Sequence, residues 1–222
     1  MSYLKKITGA CAIAATLVAG NAVAAPITLG FEGAGDFNYI DTYYAGGASS
    51  GLSGTDHGIV FGSSFISLVD MDAGGSGTFA NNPSGTTIAT WVDNNDLVIT
   101  VLAGFENRFS LFYGAAARGY VNVYEGLNGS GELLATLDLA ENLAGCDDAD
   151  NYVCRFTEAS VAFSGVARSV LFVGVAGQIG LDDIVFGAAA PSGDVPEPAT
   201  LGLTALGLAG LIASRRKAAA KR

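Results

Sequence analysis

From residue 25 to about residue 190 the apolar positions never hold helical spacing for the length of a helix. Short runs rich in β-branched and aromatic residues recur instead, separated by Gly, Asn, Asp and Ser. This pattern predicts strands over 26–32, 58–62, 64–70, 86–92, 96–103, 107–114, 119–125, 132–139, 152–163, 168–174 and 178–186. Alternation is clearest where Phe109, Leu111 and Tyr113 share one face and where Val121 and Val123 share another. Between two of these runs, Leu127-Asn128-Gly129-Ser130-Gly131 offers residues that tolerate positive φ, the chemistry of a hairpin turn. Turns every 8 to 12 residues predict an all-β fold, a single β-sandwich of jelly-roll type over residues 25–190. Trp91, the only Trp, lies in an alternating run and is expected in the core.

Both ends break the pattern. Lys5 and Lys6 precede an apolar run from Ile7 to Gly20, and Ala22-Val23-Ala24 supplies small residues at −3 and −1. That order predicts a Sec-type signal peptide, residues 1–24, cut after Ala24 and taking Cys11 with it. Residues 191–222 form a linker and three parts: Val195-Pro196-Glu197-Pro198-Ala199-Thr200, an apolar stretch over 201–213, and a basic tail over 215–222. The stretch predicts a short helix, below the ~20 residues that cross hydrocarbon comfortably, so it suits a temporary stop-transfer segment. The basic tail is expected to stay cytoplasmic. The run VPEPATLGLTALGLAGLIASRRK resembles the PEP-CTERM sorting signal of Gram-negative bacteria that make exopolysaccharide, also catalogued as the ice-binding protein C-terminal motif. The resemblance implies recognition of Pro196, Glu197 and Pro198 by a membrane-embedded exosortase, removal of the tail, and delivery to the cell surface or matrix. It implies nothing about ice binding by the body.

Charge sharpens the division. The whole chain carries −10, but 20 of its 21 acidic residues and only four basic ones, Arg108, Arg118, Arg155 and Arg168, fall in residues 25–194. The body therefore carries −16 and no Lys. Such a surface argues against nucleic acid, whose binding relies on Lys and Arg at phosphates, and suits solubility and divalent cations.

Chemistry in the body is sparse. The stretch from Phe37 to His57 is a Gly/Ser-rich loop bearing Tyr39, Tyr43 and Tyr44. These rings are candidate glycan contacts, because Tyr offers a flat apolar face and a hydroxyl; the competing reading has them cap an open edge of the sandwich. Cys146 and Cys154 remain after signal removal, an even pair expected to form one disulfide worth roughly 2.5 kcal/mol in the entropic model. Acidic clusters at Asp70-Met71-Asp72, Asp93-Asn94-Asn95-Asp96 and Asp147-Asp148 match no EF-hand. Gly30-Phe31-Glu32-Gly33 near the start and Gly180-Leu181-Asp182-Asp183-Ile184 near the end resemble carbohydrate-binding-module-like sandwiches. That resemblance implies a structural Ca²⁺ between the two segments. Strand alternation sends Asp182 and Asp183 to opposite faces, so one is expected as ligand, and Glu32 with Asp183 is the favoured pair.

No catalytic pattern survives scrutiny. Gly47-Ala48-Ser49-Ser50-Gly51 mimics a nucleophile elbow without the flanking strand and helix, and the one His, His57, follows only eight residues after Ser49. The expectation is a non-enzymatic, exported surface or matrix protein with a structural or adhesive role, its partners an exosortase and exopolysaccharide. The alternatives are a matrix component acting through protein contacts alone and a Ca²⁺-dependent polysaccharide hydrolase.

Overall fold

The computed structural model describes residues 25–143 and 152–187. The predicted signal peptide, Cys146, the sorting motif and the apolar segment lie outside the described residues. Ten strands carry the fold: β1 (Ile27–Leu29), β2 (Asn38–Tyr39), β3 (Ile59–Phe61), β4 (Phe65–Val69), β5 (Thr87–Trp91), β6 (Val98–Ala115), β7 (Gly119–Tyr124), β8 (Leu133–Leu139), β9 (Thr157–Val173) and β10 (Ile179–Phe186). Every named pairing is antiparallel.

The strands form one hydrogen-bonded path, β2-β4-β5-β10-β6-β9-β7-β8, with β1 joined to β10 and β3 to β6. This path folds over itself. Phe65 of β4 and Phe172 of β9 are four strand spacings apart, about 19 Å if the sheet were flat, yet their ring centroids are 5.6 Å apart. Two layers therefore face each other, and β6 and β9 run through both. The first half of β6 pairs with β3 and with the end of β9; its second half pairs with β10 and with the start of β9. Antiparallel pairs nest, β7 with β8, β6 with β9, β5 with β10, which is the rolled-ribbon order of a jelly roll. The chain is an all-β sandwich.

Two predicted breaks are bends instead. Residues 96–103 and 107–114 belong to the single 18-residue β6, because Gly104 (φ 80°) and Asn107 (φ 72°) sit at register shifts that turn the strand between layers. The pairs predicted over 152–163 and 168–174 likewise merge into β9 from Thr157 onward, with Gly165 at φ 89°. Bulges use the same positive-φ residues as turns, so composition alone does not separate them. The predicted hairpin stands: Asn128 (φ 56°) and Gly129 (φ 69°) link β7 to β8.

The core lies between the layers. Trp91, Phe65, Phe109, Phe172 and Phe186 are fully buried, and Leu111, Tyr113, Val121 and Val123 join them, as alternation predicts. A smaller apolar cluster sits on the other side of the β4-β5-β10 layer. There Phe79, Val153 and Phe156 cover Ile88 and Leu68, and Phe79 bridges to Val153. The long β4–β5 connection thus wraps the outer face of the sheet and carries Asn82–Thr87 across β10.

Candidate functional site

The late acidic pair sits in β10, where alternation fails. Register slips between Asp182 and Val185, and Asp183 adopts φ 44°. The bulge overturns the expectation that Asp182 and Asp183 face opposite ways, because both reach Ser84. Ser84 Oγ donates to Asp183 Oδ1 at 2.8 Å and approaches both Asp182 oxygens at 3.4 Å. Asp182, fully buried, also accepts from Ser84 N at 3.1 Å, Asn82 Nδ2 at 3.2 Å and Asp183 N at 2.7 Å. Burial pushes its carboxyl up to about 6, with the Asp183 charge adding to the rise and these donors opposing it.

Glu32 meets the other end of the same connection. Its Oε1 accepts from Thr86 N at 2.9 Å and Thr87 N at 2.8 Å. Gly85 (φ 53°) allows this approach, since a Cβ there would land on the Glu32 carboxyl. Glu32, Asp182 and Asp183 are therefore gathered around residues 82–87, each satisfied by N–H or O–H donors. Among the described residues no three Asp, Glu, His or Cys side chains converge closely enough to share a metal ion.

The Tyr-bearing loop divides. Tyr43 and Tyr44 lie in a 3-10 turn, Tyr43–Ala45, and both are buried. Tyr44 Oη accepts from Phe31 N at 2.9 Å, and Tyr43 Oη donates to the Glu32 carbonyl at 3.0 Å. Their rings meet edge to face, and Tyr44 also packs on Phe31 and Phe61. Burial raises the ionisation of both hydroxyls above the ordinary Tyr value. Their hydroxyls and most of their ring area are taken up within the fold, so they act first as structural residues, and what they leave to the surface is a strip of cleft wall. Tyr39 is different. It lies on β2, at the edge of the sheet, and is 50% exposed.

Beside the turn lies an open cleft of ≈520 Å³, walled by Glu32, Tyr43, Tyr44, Ser53, Gly54 and Thr55. Leu52, next in the chain to Ser53, packs at Gly35. Two residues on is Phe37, 64% exposed and held at φ 55°, a conformation that costs a bulky L-residue roughly 1–2 kcal/mol. The cleft thus offers hydroxyls and a carboxylate, with two exposed aromatic rings on the neighbouring edge.

Comparison with known proteins bears first on the tail. The PEP-CTERM protein-sorting motif matches residues 194–217. The chain carries a PEP-CTERM sorting signal. That motif implies exosortase processing and an extracellular or cell-surface destination. Among the described residues no helix is long and apolar enough to cross a membrane. No curated protein matches the sequence. Solved structures similar to the body include a family 6 carbohydrate-binding module (13% identity, TM-score 0.36, 59% of this chain and 93% of that one). The K2 cleaved adhesin domain of Lys-gingipain gives 13% identity and TM-score 0.40 over 74% of this chain and 99% of that one. A glycoside hydrolase family 43 arabinoxylan arabinofuranohydrolase from Bacillus subtilis gives 17% identity and TM-score 0.38 over 59% of this chain. This chain spans only 26% of that enzyme chain. These likenesses are too slight to assign a ligand.

Sequence reasoning passed over Ser84, Gly85 and Phe37. A Ser-Gly-Thr-Thr run reads as an ordinary turn, and nothing local says that it covers two aspartates about a hundred residues away. Phe37 had one available signal, an exposed-loop aromatic between Asp36 and Asn38.

Proposed function

We propose that this PEP-CTERM protein is a surface or matrix component that holds exopolysaccharide in the Glu32–Thr55 cleft, with Phe37 and Tyr39 as stacking faces beside it. The observation that carries the reading is the pairing of an open cleft lined by Ser53 and Thr55 with two exposed aromatics, Tyr39 on the edge strand β2 and Phe37 just before it. Sugar rings present axial C–H groups to such faces and hydroxyls to such walls, and the cleft volume is that of ordinary ligand sites. Phe37 supports it further: a bulky ring held exposed and strained gains nothing for the fold.

The role is adhesive and non-catalytic. Among the described residues Glu32 is the one carboxylate in the cleft wall, it is held by two backbone N–H groups, and no second carboxylate lines the cleft beside it as a hydrolase pair would. Structural Ca²⁺ at Glu32 and Asp183 belongs to the same proposal as a supporting ion, and it must compete with the Ser84 and Thr86–Thr87 donors. The Cys146–Cys154 disulfide is proposed with it as a staple. The test is retention of the exported protein on the producing strain's polysaccharide, with Ca²⁺ and with chelator. Retention supports the reading; none in either condition overturns it. Release of reducing ends from the same polymer would replace binding by hydrolysis.

A further inference from the structure

The strand register puts both ends of the body at one place. Ile27 pairs with Phe186 in neighbouring strands, about 5 Å apart, so the residues after the expected signal cut lie beside the residues that lead into the sorting tail. Gly187 stays on the fold, its N–H donating to the Arg108 carbonyl at 3.0 Å. Pro196 follows nine residues later, at most about 30 Å along an extended chain. Whatever surface adjoins Gly187 is thereby held close to the bilayer that the tail engages.

That surface is the corner where β6 and β9 cross between layers. Here Leu102 is 53% exposed and Val166 38%, and Arg168 joins them, its Nη1 donating to the Leu102 carbonyl at 3.0 Å. Gly104 lies against Val166 and the Arg168 stem. Of the two Arg near this corner, Arg108 is paired with Glu158 at 3.3 Å, so Arg168 supplies the positive charge here, with Glu106 and Asp56 as the neighbouring acids. The opposite pole also exposes apolar residues, Val92 and Val175, but no tether leaves from it.

We propose that the Leu102–Val166–Arg168 corner is a membrane-resting face, seated on the lipid headgroups while the sorting tail is engaged, so that the opposite pole points away from the cell. Its occupant is the bilayer surface, with apolar side chains entering the interface and Arg168 at the phosphates. The proposal rests on reading residues 195–222 as a membrane-engaged sorting signal, and is independent of glycan binding.

The test is hydrogen–deuterium exchange of the full precursor with and without phosphatidylethanolamine/phosphatidylglycerol vesicles. Exchange over 102–108 and 164–168 slows at least about threefold on vesicles, while 92–97 does not change. Peptides over 201–213 report whether the tail is engaged. A protected tail with an unprotected corner, or protection of 92–97 instead, overturns the membrane-resting face alone. An unprotected tail overturns the sorting-signal reading and the proposal with it. The exposed variant Leu102→Asp with Val166→Asp removes the slowing at the corner and leaves tail protection in place; retained slowing there also overturns the proposal.

Discussion

The two faces of β10 are built on opposite principles. Inward, Leu181, Ile184 and Phe186 enter a core of interlocking rings, where Phe172 touches Phe65, Trp91 and Phe109. Outward, Asp182 is just as buried, yet it is covered by a loop that supplies donors and no cation. The inner face of β10 carries no titratable side chain, so its contribution does not change with pH. The outer face holds a carboxylate that is poorly solvated, so its stability depends on protonation. The difference shows where this fold keeps its conditional part: off the core and under a loop, with Glu32 at the other end of that loop.

The largest effect should come from the inner face. Phe172→Ala is expected to cost about 3–5 kcal/mol in denaturant unfolding, equally at pH 7.5 and 4.5. A pH-dependent loss would blur the contrast. Next is Gly85→Ala, which places a Cβ on the Glu32 carboxyl at positive φ and breaks two charge-assisted hydrogen bonds. A cost of about 2–4 kcal/mol is expected; a neutral variant would mean that Glu32 is not held there.

Asp182→Asn probes the outer face by pH. The native carboxyl near 6 stands above the ordinary carboxylate value, so its favourable contribution is complete below about 4 and is lost as pH rises through 6. In chelator, the wild type should gain on the order of 2 kcal/mol relative to Asp182→Asn between pH 7.5 and 4.5. A flat difference would mean that a positive group neutralises Asp182. Smallest is Phe37→Asn. Asn tolerates the left-handed region, so stability should rise by up to about 1 kcal/mol in a thermal scan. A loss would show that the Phe37 ring supports the fold.

The sequence was most legible where one physical rule acted alone. Alternation placed Phe109, Leu111, Tyr113, Val121 and Val123 inside, and the Asn128-Gly129 turn joined β7 to β8. It was least legible where a positive-φ residue had two uses. Gly104 and Gly165 read as ends of strands but bend β6 and β9 from one layer to the other. The candidate site shows the same limit. A resemblance singled out Glu32 and Asp183 as expected ligands, yet the bulge that turns Asp183 to Ser84 beside Asp182 is a tertiary event. Tyr43 and Tyr44 looked like loop aromatics because their partners lie outside the loop, the Glu32 carbonyl for Tyr43 and Phe31 and Phe61 for Tyr44.

The central claim is that the edge-strand aromatics bind while the buried ones only support. Calorimetric titration of the exported protein with the producing strain's exopolysaccharide tests this most directly, comparing wild type, Phe37→Ala with Tyr39→Ala, and Tyr43→Phe. The account predicts that the double variant loses at least about tenfold in affinity, while Tyr43→Phe, which lacks only the bond to the Glu32 carbonyl, binds like wild type. Undiminished affinity in the double variant would contradict it.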